Sequence, residues 1–202
     1  MSARWLRSAV GLAAALALAL GCGFRELHLQ LAGGDADARR GPLGEIPPMR
    51  FELRELEDAR PDPARVGYEK DAYGTKMSDV LSAAPVPQLF RDAIAAELRA
   101  NGHSIDPQGR LRIEGAVDLF WVEMQPSQGL MAVATAACTL RVVERASGAP
   151  IYAQQYTGQY THPGAYPGEG AYAEALRVAL QRMAWEIALD PRLVALLRAR
   201  SG

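Results

Sequence analysis

Between Leu111 and Thr161 the chain alternates apolar and polar residues through three long runs, and only extended strands satisfy that pattern. In the first run, Leu111 to Glu123, the odd positions Leu111, Ile113, Val117, Leu119 and Trp121 are expected to share one face. Arg112, Glu114 and Asp118 take the other. The second, about Leu130 to Arg145, puts Ala132, Ala134, Ala136, Cys138, Leu140 and Val142 on one side, and such small residues suit a helix lying close against a sheet. Ser147-Gly148 marks a hairpin turn into the third run, Ile151 to Thr161.

An earlier strand is expected over Met49 to Leu56, where Met49, Phe51 and Leu53 alternate with charged residues. Helices are expected at Pro87 to Asn101 and at about Ala171 to Leu189. The first carries the stripe Leu89/Phe90, Ala93/Ile94 and Leu98 and stops at Asn101-Gly102. Asp190 as N-cap and Pro191 at the first position open a short last helix ending near Arg200. The order β-α-β-β-β-α predicts an α+β two-layer sandwich, with a four-stranded, mostly antiparallel sheet and two helices on one face.

The N-terminus constrains location rather than fold. Arg4 and Arg7 precede an apolar run from Val10 to Leu20, which is shorter than the about 20 residues a membrane-spanning helix needs. The sequence Leu18-Ala19-Leu20-Gly21-Cys22 resembles the lipobox of bacterial prolipoproteins. That resemblance implies cleavage before Cys22 and acylation of its thiol, giving a periplasmic domain anchored by lipid without a transmembrane segment. Gly23, in place of Asp, points to the outer rather than the inner membrane. Residues 1–21 are then a signal peptide, 22–47 a flexible tether broken by Gly33-Gly34, Gly41-Pro42 and Pro47-Pro48, and 48–202 one α+β domain. Residues Phe24 to Leu31 can also be read as a short edge strand.

With 22 Lys and Arg against 23 Asp and Glu, the chain is near neutral, which argues against a nucleic-acid surface. Cys138 has no second cysteine to pair with once Cys22 carries lipid, and a buried core thiol is expected. His28, His103 and His162 are scattered, and no metal-binding, thiol-redox or serine-nucleophile motif occurs. No catalytic residue, metal or cofactor is therefore expected, and the chain is read as a non-enzymatic module.

Two features point to binding. One is the long Pro-, Gly- and Tyr-bearing segment from Asp58 to Pro85, expected to be a loop packed on the body, with Tyr68, Lys70 and Tyr73 as contact residues. The other is the tyrosine row Tyr152, Tyr156 and Tyr160 on the last strand. Val66-Gly67-Tyr68-Glu69-Lys70-Asp71-Ala72-Tyr73-Gly74, Asp79-Val80-Leu81, Pro85-Val86-Pro87 and Asp118-Leu119-Phe120-Trp121 resemble YajG-type lipoproteins of Gram-negative bacteria. The resemblance implies an address and a fold but no mechanism. Its layout is similar to auxiliary lipoproteins of envelope transporters and of the lipopolysaccharide translocon. The expected partners are the membrane, through Cys22, and an envelope protein or transporter subunit.

Overall fold

The computed structural model describes residues 25–31, 38–125, 131–164 and 168–201. Residues 1–24, which hold the expected signal peptide and Cys22, lie outside the described residues. The architecture is organised around β7 (Leu111–Gln125), the longest strand. One edge of β7 pairs antiparallel with β8 (Met131–Glu144), which pairs antiparallel with β9 (Pro150–Thr161). Along its other edge run three short strands in succession, all parallel to it: β2 (Arg50–Leu53), β3 (Glu57–Asp58) and β4 (Gly67–Lys70). Phe51 lies opposite Leu111, Glu57 opposite Ala116 and Gly67 opposite Val122, so the chain from 50 to 70 is one strand line interrupted twice. The longer interruption contains Pro61 and Pro63, which cannot donate to a ladder. Arg60 fills it from within: its guanidinium donates to Asp58 Oδ1 and Oδ2, each at 2.8 Å, and to the carbonyls of Pro63 and Arg65 at 2.7 and 2.9 Å.

Beyond β4, the sheet continues through antiparallel β5 (Lys76–Ser82) to parallel β1 (Arg25–Leu29) at the edge. At the far end β6 (Ser104–Ile105) pairs with β2. The result is a mixed sheet of nine strands, not the four-stranded, mostly antiparallel sheet expected from sequence. Five of its pairings are parallel. Of the extra strands, β1 falls in the stretch also read as an edge strand, β3, β4 and β6 are two to four residues long, and Val80-Leu81 blurs the period of two in β5. The segment 58–85, expected as a loop, is largely the β4–β5 hairpin.

Helices α1 (Val86–Ala100) and α2 (Glu169–Leu189) pack against each other on one face, and α3 (Pro191–Arg198) follows α2. The expected stripe on α1 is buried, and Phe90 meets Phe120 of β7 edge to face at 5.3 Å. Ala132, Ala134 and Ala136 are fully buried on β8, and Cys138 beside them donates its thiol hydrogen to Met183 Sδ at 3.3 Å. Gly158 of β9 brings α2 closer still. A Cβ there would lie 2.1 Å from the Ala179 carbonyl oxygen and 2.3 Å from Met183 N.

Two further expectations change. The register of β7 against β8 shifts between Val117 and Leu119, a bulge that carries the strand past Asp118. After it the even residues Phe120, Val122 and Met124 face the helices, while Leu119 and Trp121 turn to the other face. The segment expected as a tether is also partly structural. Leu27 and Leu29 are buried in β1, and a 3-10 turn at Pro42–Glu45 buries Leu43. Asn101 holds that stretch, accepting from Gly41 N at 2.8 Å and donating to the Arg39 carbonyl at 2.9 Å. His103 accepts from Met49 N at 3.2 Å through Nδ1, which leaves Nε2 to donate to the Leu43 carbonyl at 3.2 Å.

Candidate binding surface

The β4–β5 hairpin closes through Asp71. Its Oδ1 accepts from the backbone N–H of Tyr73 at 2.9 Å and of Thr75 at 2.8 Å, and Gly74 takes a φ of +84° that disfavours other residues. This fixed turn holds Tyr73 out into solvent, 95% exposed, with Met77 beside it at 53%. Large apolar side chains are otherwise buried or half-buried among the described residues, apart from Leu189 at the rim of α2.

Below the tip, on the sheet face away from the helices, Tyr68 meets Trp121 edge to face at 5.0 Å. Lys76 Nζ stands 4.2 Å over the Tyr68 ring, and the Arg65 guanidinium lies 6.0 Å from it. Both cations pair with Asp79, Arg65 Nε at 2.9 Å and Lys76 Nζ at 2.6 Å. The Lys76 ammonium, helped by Arg65 and opposed by burial, holds the Asp79 carboxyl below its ordinary pKa. Lys70 Nζ pairs with Glu123 at 2.8 Å. The surface is thus an aromatic pair ringed by closed ion pairs. It can take apolar and π-stacking contacts with polar neighbours held in place.

The structure brings together Tyr68, Lys70 and Tyr73, three of the expected contact residues, in this one hairpin. It adds Trp121, Arg65, Asp79 and Met77, which sequence reasoning did not assign to the surface. Trp121 was missed because Leu119-Phe120-Trp121-Val122 is apolar at both parities, so the run does not reveal which residues face inward. The available sign of a bulge lies beyond it, where Glu123 and Gln125 are polar at the parity that Leu111 and Ile113 make apolar.

The tyrosine row lies elsewhere and faces the helices. Tyr156 is buried, and its hydroxyl donates to Asp190 Oδ2 at 2.8 Å; Tyr152 bonds the same oxygen. The other oxygen, Oδ1, caps α3 by accepting from Arg192 N and Leu193 N at 2.8 and 3.2 Å. Burial opposes ionisation of Asp190, but the two phenols and two backbone N–H groups hold its pKa below the usual value. Burial also raises the pKa of both tyrosines. Tyr160 is half-buried under the Arg182 guanidinium, 5.0 Å from its ring. This row therefore clamps the α2–α3 corner onto β9 rather than forming an open partner surface, because the helix layer covers that face.

Elsewhere lie open polar grooves and one small apolar cavity within the core, among Phe51, Ile94 and Leu98. A groove of about 760 Å³ at the opposite end of the sheet is lined by Arg50, Arg110, Glu144, Arg145 and Arg200 among others. No group of three or more His, Cys, Asp or Glu side chains able to hold a metal occurs among the described residues. Burial, with Asp118 adding, pushes the Cys138 thiol up to about 12.

These features define an α+β domain with one mixed sheet, helices on one face and an aromatic patch on the other. No described helix is long and apolar enough to cross a membrane. Among solved structures, protein XCC0632 from Xanthomonas campestris, of the DUF330 family, is similar over 87% of this chain and 99% of its own. The TM-score is 0.63 and the identity 10%, a likeness of fold. A candidate lipoprotein from Caulobacter crescentus aligns at TM-score 0.42 and 14% identity, over 81% of this chain and 98% of that one. Lipoprotein GNA1162 from Neisseria meningitidis aligns at 0.38 and 12%, over 64% and 95%. No family model and no curated protein matches the sequence, so the YajG-type resemblance stays an expectation from its motifs.

Proposed function

We propose that this chain is a non-enzymatic lipoprotein of the cell envelope that binds a protein partner through the uncovered sheet face at Tyr68 and Trp121. The observation that carries the reading is that aromatic pair, half-buried on a face that no helix of the described residues covers and edged by Arg65, Lys76 and Lys70. Aromatic side chains and arginine are the residues enriched where proteins meet, and ion pairs closed in advance cost little further ordering on binding. The address comes from the lipobox-like Leu18 to Cys22 and the apolar leader before it. The fold shared with the Xanthomonas protein fits that reading without specifying a partner.

The test is crosslinking of the acylated chain in native membranes, followed by identification of the captured protein. Capture of one defined envelope protein that is lost in both Tyr68→Ala and Trp121→Ala, with unchanged thermal unfolding, supports the proposal. Capture indifferent to both substitutions removes the site. Recovery of a transporter or barrel subunit would assign the chain to lipid or lipopolysaccharide transport. Fractionation of Cys22→Ser checks the address, since a chain that stays on membranes without that thiol is not held by its lipid.

A further inference from the structure

We infer that the tip of the β4–β5 hairpin, through Tyr73 and Met77, rests in the headgroup region of the bilayer that holds the lipid anchor. The inference depends on Cys22 being acylated, and deepens that reading by assigning the surface that touches the membrane. Chain length supplies the geometry. Cys22 is three residues from Arg25, the first residue of β1, and such a stretch spans at most about 11 Å. β1 runs parallel to β5 with Arg25 opposite Ser78, and Ser78 lies three residues beyond Thr75 in the hairpin turn, about 10 Å along a strand. The anchor and the tip are therefore at the same end of the sheet. An acylated Cys22 keeps the tip within reach of the bilayer surface, while the β8–β9 turn at Ser147-Gly148 is directed away from it.

The chemistry of the tip fits that position. Tyr73 and Met77 are the two most exposed large apolar side chains among the described residues, and both sit on this one hairpin. Tyrosine, with an apolar ring and a polar hydroxyl, is enriched where membrane meets water. The adjacent cations are already paired, Lys70 with Glu123 and Lys76 with Asp79. Among the described residues of the hairpin no lysine is left unpaired, so the contact is interfacial and apolar rather than an attraction to anionic headgroups. The Asp71 turn holds the tip in shape beforehand, which lowers the ordering cost of docking.

The experiment uses the full acylated chain reconstituted into phosphatidylethanolamine–phosphatidylglycerol vesicles containing doxyl-labelled lipid. Tryptophan emission is compared between Tyr73→Trp and Ser147→Trp, each corrected for the parent chain. Loss of the added emission in Tyr73→Trp but not in Ser147→Trp, unchanged when phosphatidylglycerol is omitted, is the expected result. Equal emission from both positions in chains that float with the vesicles overturns the tip contact and leaves the anchor reading standing. Chains that carry no acyl group and fail to float overturn both. Self-association that disappears in Tyr73→Ala, without lipid quenching, would reassign the tip to contact between copies and overturn the inference.

Discussion

Arg60 shows how a single side chain can replace a stretch of backbone pairing. Its guanidinium is buried, and it satisfies Asp58 in a two-pronged contact together with two carbonyls of the interruption between β3 and β4. The pairing lowers the Asp58 pKa, chiefly through the Arg60 hydrogen bond acting against burial. Arg60→Met should cost about 3 kcal/mol in urea unfolding, because a carboxylate and two carbonyls lose their donor. Arg60→Lys should recover little of it, since an ammonium lacks the planar fork. His103 gives a pH signature. Burial, opposed by its bond to the Leu43 carbonyl, keeps its folded pKa below the ordinary value of 6.5. The unfolded chain therefore binds the proton more readily, so this contribution to stability is complete above about pH 6.5 and is lost as pH falls towards the folded value. Glu97 slopes the other way: burial raises its pKa above 4.5, so its contribution is present at acid pH and lost as pH rises. Comparing urea midpoints of the parent and His103→Gln between about pH 5 and pH 8 isolates the histidine, and the variant should show the flatter acid limb.

At the scale of elements, sequence and structure agree where a pattern repeats long enough to be unambiguous. The α1 stripe, the helix-facing side of β8 and the Asp190-Pro191 start of α3 were all legible, because each reports a local rule of spacing or capping. The far half of β7 was misread because one bulge at Asp118 reverses every later side chain. Strands β3, β4 and β6 are two to four residues long, too short for alternation to declare itself. The approach of α2 to β9 depends on Gly158, whose missing side chain leaves room for the helix backbone. Gly158→Ala should lower stability by about 3 kcal/mol, the upper end for overpacking, since backbone on both sides must move. Thermal unfolding checks it, and a loss under about 1 kcal/mol would mean that the helix shifts freely.

For the whole molecule, β1 closes one edge of the sheet. β1 covers the edge of β5, and Leu29 is fully buried. Deleting residues 1–31 should expose β5 as an unpaired edge and cause association visible in sedimentation, whereas a mere tether would leave a monomer unchanged. What the sequence determined by itself is the local grammar: three long strands and a hairpin, two amphipathic helices, the capped last helix, a buried Cys138 and a lipobox-like Cys22. Those properties depend on nearest neighbours and period, which a linear chain displays directly. Tertiary structure alone decided that 50–70 forms one interrupted line along β7, and that the Asp58–Pro85 segment carries the β4–β5 hairpin. It also turned the tyrosine row towards the helices and Trp121 towards Tyr68. Each of these depends on which distant strand supplies the hydrogen bonds, a choice made between residues about 50 positions apart and settled only when the pairings form together.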